Sequence, residues 1–232
     1  MPKRAACACQ HEPGHEIVRG MPDNTRDLSA YYLWFDTEYT SLQLDRARLL
    51  QVALVITDAS LNRVASPERD FNCLAAIGPD EVCDPWTAEN LASLIARCRS
   101  PEAQPVEAIN ARLAAYLEDV LGPNPGSVKL RPPLAGNSVQ SDWFLARKFL
   151  PALLERAHYR VLDVSSWKIY WKNAVGDYPF DKDNAALVRQ YFPGVFNSPQ
   201  NAHDAHFDVL ASIAEMNFYR THQTLNWPPV VR

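Results

Sequence analysis

The 232-residue sequence lacks any hydrophobic run long enough to span a membrane, and its N-terminus lacks the apolar segment of a secretory signal. It also lacks an excess of basic residues, since the formal net charge is -4 and the pI is about 5.9. A protein that holds long nucleic acid mainly by neutralising its phosphates needs a broad basic surface. This mode of binding is therefore disfavoured, whereas a short anionic substrate is compatible with the charge.

Cysteine is scarce as well, and the five cysteines are odd in number and lie in dissimilar contexts: Cys7, Cys9, Cys73, Cys83 and Cys98. Such a set does not form the framework of paired cysteines that stabilises small secreted domains. A reducing compartment is expected. Because no membrane segment is present either, the sequence predicts a soluble, cytoplasmic protein.

Hydrophobic residues make up 47% of the chain, which is enough for one sizeable core, so residues 29–232 are predicted to form a single domain. Residues 1–28 are polar, contain Gly and Pro, and show no periodicity, which is typical of a flexible arm. Four residues of this arm could bind a soft metal: Cys7, Cys9, His11 and His15. Their spacing matches no common structural zinc pattern, and the flexible arm is the favoured interpretation.

Three strands are predicted early in the chain, at residues 31–36, 49–58 and, more weakly, 63–72. Along the second of them, alternate positions carry large apolar side chains, as the period of a strand requires. The segments between these strands are too short for crossover helices, so we expect an antiparallel meander.

The later elements alternate between strand and helix. A helix at 106–121 has one apolar face and ends at a segment rich in Gly and Pro. The elements predicted after it are a strand at 133–137, a helix from 141 that restarts at Pro151, a strand at 161–164, a helix at 165–172, a helix ending near 192 and a last helix at 205–221. This alternation is typical of parallel crossover units. The chain is therefore predicted to be an α/β protein, with one mixed sheet and helices packed against it.

The segment 33–38 reads Leu-Trp-Phe-Asp-Thr-Glu, an apolar run that ends in two carboxylates separated by one residue. In a strand, the side chains of Asp36 and Glu38 lie on the same face and are close enough to share a cation. The alternative is an ordinary polar strand end. A cation site here depends on further ligands from elsewhere in the chain.

Three further residues are candidates to complete this site. Asp142 follows a predicted buried strand and a Gly-Asn-Ser turn, which directs its carboxylate toward the strand ends, although a helix cap is the alternative. Asp208 lies in the first turn of the last helix. His203 lies five residues earlier, which is not same-face helical spacing, so we expect it in the loop before that helix, as a site residue or as an ordinary surface or packed histidine. Asp204 and His206 are competing candidates for its role.

Four ordered segments resemble the motifs of one enzyme superfamily. The sequence at 36–42, Asp-Thr-Glu-Tyr-Thr-Ser-Leu, resembles the motif Asp-x-Glu-Met-Thr-Gly-Leu of the oligoribonucleases, and 136–142 is similar to their second motif. The sequence at 158–165, His-Tyr-Arg-Val-Leu-Asp-Val-Ser, is similar to an oligoribonuclease segment that the rest of the superfamily does not generally share. The third motif, His-x4-Asp, is present at 203–208. Residues 31–222 therefore resemble the DEDDh exonucleases, and most closely the oligoribonucleases.

This resemblance implies a ribonuclease H-like fold and a metal-dependent 3′-5′ exoribonuclease that degrades dinucleotides or very short RNA to nucleoside 5′-monophosphates. It implies two divalent cations as cofactors, Mg²⁺ or Mn²⁺, and carboxylate oxygens are the ligands that these ions prefer. The implied ligands are Asp36, Glu38, Asp142 and Asp208. His203 is implied to be the general base that activates the attacking water.

The resemblance also implies a set of substrate-binding residues: Leu42, Ser138, Tyr159, Arg160 and Ser165. Leu42 is expected to wedge against the bases, and Ser138 is expected near the scissile bond. The other three are expected to reach across from the partner subunit of a homodimer and to cap the 5′ end of the substrate, where an arginine and hydroxyls can bind a phosphate. Such a cap selects dinucleotides of single-stranded RNA.

Departures from the family pattern leave other functions open. Tyr39 and Ser41 replace the usual Met and Gly beside the carboxylate pair, and Trp143 and Phe144 follow Asp142 in a segment one residue shorter than usual. A broader DEDDh exonuclease that acts on longer RNA or on single-stranded DNA is the first alternative. A catalytically silent nucleotide-binding relative is the second, although all five catalytic residue types are present.

Overall fold

The computed structural model of the chain describes residues 26–176, 180–194 and 203–222. The four possible soft-metal ligands of the predicted arm lie outside the described residues. Of that arm only residues 26–28 are described, and Leu28 is buried there. Over the part of the chain that is described, no helix is long and apolar enough to cross a membrane.

Five strands form one mixed sheet: β1 (Tyr31–Tyr39), β2 (Leu49–Asp58), β3 (Phe71–Leu74), β4 (Pro133–Gly136) and β5 (His158–Asp163). Their order across the sheet is β3-β2-β1-β4-β5. The first three strands pair antiparallel, and β4 and β5 continue the sheet parallel to β1. The predicted meander followed by parallel strands is therefore confirmed.

The helices of the described chain are α1 (Pro85–Asn90), α2 (Ala92–Cys98), α3 (Val106–Leu121), α4 (Val139–Phe149), α5 (Pro151–Arg156), α6 (Val164–Val175), α7 (Ala185–Tyr191) and α8 (Ala205–His222). Apolar side chains of α3, α4 and α5 pack on one face of the sheet, in a cluster that includes Leu33, Phe35 and Leu113. Side chains of α6, α7 and α8 pack on the other face, around Trp34 and Phe207. The sheet is thus enclosed between two helical layers.

The alternation of side chains along β1 decides which helical layer each functional residue faces. Phe35 lies in the core beneath α3 to α5, whereas Trp34 lies in the core beneath α8. Because the side chains of a strand alternate with a period of two, Asp36 and Glu38 share the face of Trp34. Thr37 lies on the opposite face, toward α4. The end of β1 therefore presents Asp36 and Glu38 to one helical layer and Thr37 to the other.

Three strands differ from the sequence prediction by more than one residue at an end. β5 begins at His158, three residues earlier than predicted. β1 continues three residues further than predicted, because its pairing with β2 runs through Glu38, which lies opposite Gln51. The strand predicted at 63–72 was wrong in its bounds, since Pro67 begins a 3-10 turn and the strand comprises Phe71–Leu74. Proline has no N–H to donate and is therefore disfavoured inside a strand.

Gly136, the last residue of β4, allows β4 to lie close against β1. A Cβ added there would be 2.8 Å from the backbone carbonyl oxygen of Phe35. We expect Gly136→Ala to lower the free energy of unfolding, measured by urea denaturation, by about 1–3 kcal/mol, as overpacking does in a well-packed core. Gly78→Ala is the matched control, because no atom lies within 4 Å of a Cβ added at Gly78. Equal losses of stability in the two variants would contradict this prediction.

Candidate active site

A cleft of about 290 Å³ opens at the carboxyl ends of β1 and β4. The ends meet because the two strands are parallel neighbours, and α/β proteins commonly bind ligands at this edge of the sheet. The end of β1, the turn that precedes α4, the helix α8 and the helix α1 all contribute to the lining. The cleft therefore gathers residues that lie far apart in the sequence.

Three of the predicted metal ligands line this cleft, Asp36 and Glu38 from β1 and Asp208 from α8. Ligand atoms of Glu38, Asp208 and His203 all lie within 4.8 Å of one another. Among the residues that the structure describes, this is the one group of three His, Cys, Asp or Glu side chains with such spacing. It arises because the carboxylate pair of β1 faces α8.

Asp142 is the fourth predicted ligand, and its carboxylate is hydrogen-bonded to Thr37 of β1. Its Oδ1 accepts hydrogen bonds from the backbone N–H of Thr37 at 2.9 Å and from the Thr37 hydroxyl at 2.6 Å. Both bonds go to the same oxygen, Oδ1. The alternative of a helix cap was wrong, because α4 begins two residues earlier than predicted and Ser138, in a left-handed conformation with φ 52°, is its N-cap residue.

Burial raises the pKa of all four carboxyls, and the charges of neighbouring carboxylates raise the pKa of three of them further. Burial raises the pKa of Asp36 well above its usual range, and the charges of Asp142, Asp208 and Glu38 raise it further. Burial is also the largest cause of the raised pKa of Glu38, about 8, and of Asp142, about 7. It likewise raises the pKa of Asp208, against the opposing charge of Lys182. Because cations relieve such repulsion and these ligands are hard oxygens, the site fits divalent ions such as Mg²⁺ or Mn²⁺.

His203 lies in the turn just before α8, and its exposed side chain lines the cleft. Its backbone has a φ of 68°, in the left-handed region, and its N–H donates to Oδ2 of Asp208 at 3.1 Å. Its ring packs edge-to-face against Trp86, with 4.9 Å between the ring centroids. An exposed imidazole is thus held next to the carboxylates by its own backbone and by an aromatic neighbour.

The two competing candidates for the role of His203 are occupied elsewhere. His206 is buried, and its Nε2 lies 2.9 Å from Oδ2 of Asp70. Asp204 accepts hydrogen bonds from the N–H of Phe207 at 3.0 Å and from Nε2 of Gln51 at 3.1 Å. Neither residue lines the cleft. Their contacts secure the start of α8 on the sheet.

The predicted substrate-binding residues fall into two groups. Leu42, which is 77% exposed, and Ser138 line the cleft. Ser165 lies beside them, since its hydroxyl accepts a hydrogen bond from the N–H of Ser138 at 3.0 Å. Tyr159 and Arg160 are exposed on β5 and do not line the cleft of their own chain. The Ser165 hydroxyl thus contacts the turn before α4 of its own chain, and its role in a cap across a dimer stays a prediction.

Of the four residues that depart from the family pattern, Tyr39 lines the cleft and the other three do not. Tyr39 lines the cleft beside the carboxylate pair. The Ser41 hydroxyl accepts a hydrogen bond from the N–H of Gln43 at 3.0 Å and stabilises the turn after β1. Trp143 packs against the apolar cluster beneath α3, α4 and α5, and Phe144 is 41% exposed. None of these four side chains is a candidate metal ligand, so the departures leave the carboxylate set intact.

Lys182 and Trp86 are among the residues of the cleft that the sequence did not predict. Lys182 places its Nζ 3.3 Å from Oδ1 of Asp208, and Trp86 covers His203. Burial disfavours the ammonium of Lys182, but the charge of Asp208, the hydrogen bond to it and the charges of Asp183 and Asp36 together outweigh burial and raise the Lys182 pKa. Lys182 stands in a polar loop and Trp86 in a helix of six residues, so no periodic signal marks either one.

Comparisons with curated proteins show extended sequence similarity, although no family model matches the chain. The chain is 30% identical over 207 residues to a Drosophila melanogaster protein named probable oligoribonuclease, covering 86% of this chain and 85% of the relative. It is also 30% identical over 197 residues to the oligoribonuclease of Azoarcus sp., covering 82% of this chain and 93% of the relative.

Comparisons with solved structures show the fold. E. coli exonuclease I in complex with an oligonucleotide matches with a TM-score of 0.58 and 17% identity, over 84% of this chain and 41% of the exonuclease. The Mg²⁺ and Mn²⁺ bound form of S. pombe Pop2p matches with a TM-score of 0.55 and 13% identity, over 83% of each chain. The fold is therefore ribonuclease H-like, as these exonucleases are.

The similarity to curated relatives extends over most of both chains. Four of the five DEDDh residues line one cleft of a ribonuclease H-like fold, and the fifth, Asp142, is hydrogen-bonded to Thr37 in the wall of that cleft. On these grounds the chain belongs to the oligoribonuclease family.

Proposed function

We propose that this protein is a metal-dependent 3′-5′ exoribonuclease that degrades dinucleotides and very short RNA to nucleoside 5′-monophosphates. The observation that supports this most strongly is the convergence of four carboxylates and one exposed imidazole at the end of β1. Asp36, Glu38, Asp208 and His203 line the cleft, and Asp142 is hydrogen-bonded to Thr37 in its wall. Hard oxygen ligands beside a base suit phosphodiester hydrolysis. In this proposal residues 29–232 form the single exonuclease domain, residues 1–28 form an arm, and the enzyme works in the cytoplasm.

The four carboxylates are proposed to hold two divalent cations, Mg²⁺ or Mn²⁺. The Pop2p structure is a Mg²⁺ and Mn²⁺ bound form, so a protein of this fold accepts both ions. Two such ions, when bound, stabilise the charge on the attacking and leaving oxygens of a phosphodiester. Thr37 assists by fixing Asp142 through two hydrogen bonds, so that this ligand needs little reorganisation.

His203 is proposed to take the proton of the attacking water. An imidazole suits this task because it exchanges a proton near neutral pH. The bond from the His203 N–H to Asp208 ties the base to a metal ligand, so that both are positioned together. Trp86 limits the rotation of the ring from one side.

The size and walls of the cleft favour a short substrate. A volume of about 290 Å³ lies at the low end of the range for ligand pockets. The exposed ring of Trp86 offers a surface on which a base can stack, which contributes about 1–3 kcal/mol per base. Leu42, which is exposed at the opening, can wedge against a neighbouring base. The formal charge of -4 also fits a substrate with few phosphates.

An exposed apolar surface supports the proposed homodimer. β5 is an edge strand, and Tyr159 and Val161 on it are 65% and 43% exposed. Ile169 and Tyr170 of α6, the helix that follows, are 62% and 54% exposed. Edge strands with apolar side chains tend to be covered by a partner. We propose that this surface forms the dimer interface and brings Tyr159 and Arg160 to the partner's cleft, where Arg160 binds the 5′ phosphate.

A length series tests the substrate. With Mn²⁺, we expect kcat/KM for a 5′-phosphorylated diribonucleotide to exceed that for a 20-nucleotide RNA by about 10-fold to 100-fold, because a charge-assisted contact to a phosphate contributes about 1.5–3 kcal/mol. Arg160→Ala should remove most of this advantage. Arg97→Ala is the matched control, because Arg97 lies on α2 and its one ion-pair partner among the described residues is the exposed Glu102.

The same series distinguishes the alternative function. Equal rates on the diribonucleotide and on the 20-nucleotide RNA would refute the preference for short substrates and favour a broader DEDDh exonuclease. Comparable cleavage of single-stranded DNA would extend that alternative to DNA. If wild-type protein with Mn²⁺ released no mononucleotide from any of these oligomers, the exonuclease proposal itself would fail.

A further inference from the structure

Lys182 is the one lysine or arginine among the described residues that line the cleft. It lies in the segment between α6 and α7, and its side chain is 39% exposed. Its Nζ is 3.3 Å from Oδ1 of Asp208. The ammonium therefore lies at a ligand atom of the proposed metal site, on a flexible stem that also reaches solvent.

The two oxygens of Asp208 are held in different ways. Oδ2 accepts the backbone N–H of His203 at 3.1 Å, in the turn that leads directly into α8. Within the described part of the chain, Oδ1 accepts from the side chain of Lys182 alone, and this side chain can move without any change of the backbone. Oδ1 is therefore the oxygen that Asp208 can offer to a cation, and Lys182 occupies it. Two positive charges at one oxygen repel each other, so the two uses of Oδ1 are competitive.

The formal charges of the site indicate a second partner for Lys182, the phosphate of the substrate. The carboxylates of Asp36, Glu38, Asp142 and Asp208 carry four negative charges, and Lys182 carries one positive charge, so the residues alone sum to -3. Two divalent cations bring this sum to +1. A substrate phosphodiester carries one negative charge and balances it. The positive charge of Lys182 is thus matched by the carboxylates in the absence of cations and by the phosphate in their presence.

We infer that Lys182 is a phosphate-positioning residue that exchanges partners. It pairs with Asp208 in the cation-free protein, and it moves to a non-bridging oxygen of the substrate phosphate once Asp208 is occupied by a divalent cation. The inference deepens the proposed function and rests on it. An ammonium is suited to this exchange because it is a compact charge with three rotatable donors. Lys182 then weakens cation binding and strengthens substrate binding, two effects of opposite sign.

Two titrations test both effects without turnover. Lys182→Met keeps the length of the stem and removes the charge. In calorimetric titrations with Mn²⁺ alone, we expect this variant to bind Mn²⁺ about fivefold more tightly than wild type, as loss of a partly exposed repulsion implies. With saturating Mn²⁺ present, its affinity for a non-hydrolysable dinucleotide analogue should fall about tenfold, as loss of a charge-assisted hydrogen bond implies. Lys129→Met is the matched control, since Lys129 is exposed outside the cleft, and both of its affinities should equal those of wild type.

The outcomes separate this inference from the proposed function. An Mn²⁺ affinity of Lys182→Met that is unchanged or weaker overturns the competition at Asp208. An unchanged affinity for the analogue overturns the contact with the phosphate. Either result can occur in a protein that is a fully active exonuclease. Failure of the proposed function has a different signature, because wild-type protein would then release no mononucleotide from any oligomer with Mn²⁺.

Discussion

Asp36→Asn should abolish the release of nucleoside 5′-monophosphate, with kcat lower by about 10³-fold or more. Asp36 is the carboxyl whose pKa responds to all three other proposed ligands, Asp142, Asp208 and Glu38, which places it at the centre of the cluster. Asparagine keeps the shape of the side chain but supplies no negative charge to a cation. The measurement is the chromatographic release of mononucleotide from a 5′-phosphorylated diribonucleotide with Mn²⁺.

Asp36→Asn should leave the fold intact, so that its loss of activity can be attributed to the reaction and not to unfolding. The pKa of Asp36 is raised in the folded protein, so its ionised form costs stability at every pH above the pKa of the unfolded chain. Asparagine removes this cost, and the melting temperature at pH 7 with a chelator present should rise. Asp80→Asn, at an exposed position, is the control and should change neither activity nor melting. If Asp36→Asn lost activity and also had a lower melting temperature, Asp36 would be a residue that stabilises the fold, and the prediction would be contradicted.

The parts of the site that follow from the sequence are those governed by local periodicity. Asp36 and Glu38 could be placed on one face because the period of a strand is fixed, and that face proved to be the one toward α8. The position of His203 in the loop before α8 followed in the same way from helical spacing. The start of α4 did not follow, because Ser138 adopts a left-handed conformation that no local pattern indicated.

The parts that did not follow depend on how distant segments come together. Lys182 and Trp86 stand in elements without a period, and their approach to Asp208 and His203 is set by the packing of α1 and the α6–α7 segment against the sheet. Thr37 shows an intermediate case. Its face could be predicted from β1, but its bonds to Asp142 required the placement of α4, 105 residues later in the chain. Tertiary contacts of this kind have no signal within one segment.

The spacing to Asp208 favours His203 over His206 as the candidate base. Only the structure shows that the two histidines have different surroundings. His203 is exposed and lines the cleft, whereas His206 is buried beside Asp70. We therefore expect His203→Ala to lower kcat by about 10²–10⁴-fold, the range for removal of a general base. Its melting temperature should stay near that of wild type, because the bond to Asp208 comes from the backbone of residue 203.

His206→Ala should show the opposite pattern. Its loss leaves the buried carboxylate of Asp70 without one hydrogen-bond partner, although the ion pair with Arg63 remains. Removal of one partner of a buried polar group costs about 1–3 kcal/mol, so the free energy of unfolding should fall by this amount while kcat, measured well below the melting temperature, is retained. Urea unfolding and mononucleotide release on both variants decide between the two histidines. A loss of kcat in His206→Ala, with normal kcat in His203→Ala, would reverse the assignment, because a base must reach the water in the cleft and His206 lies outside it.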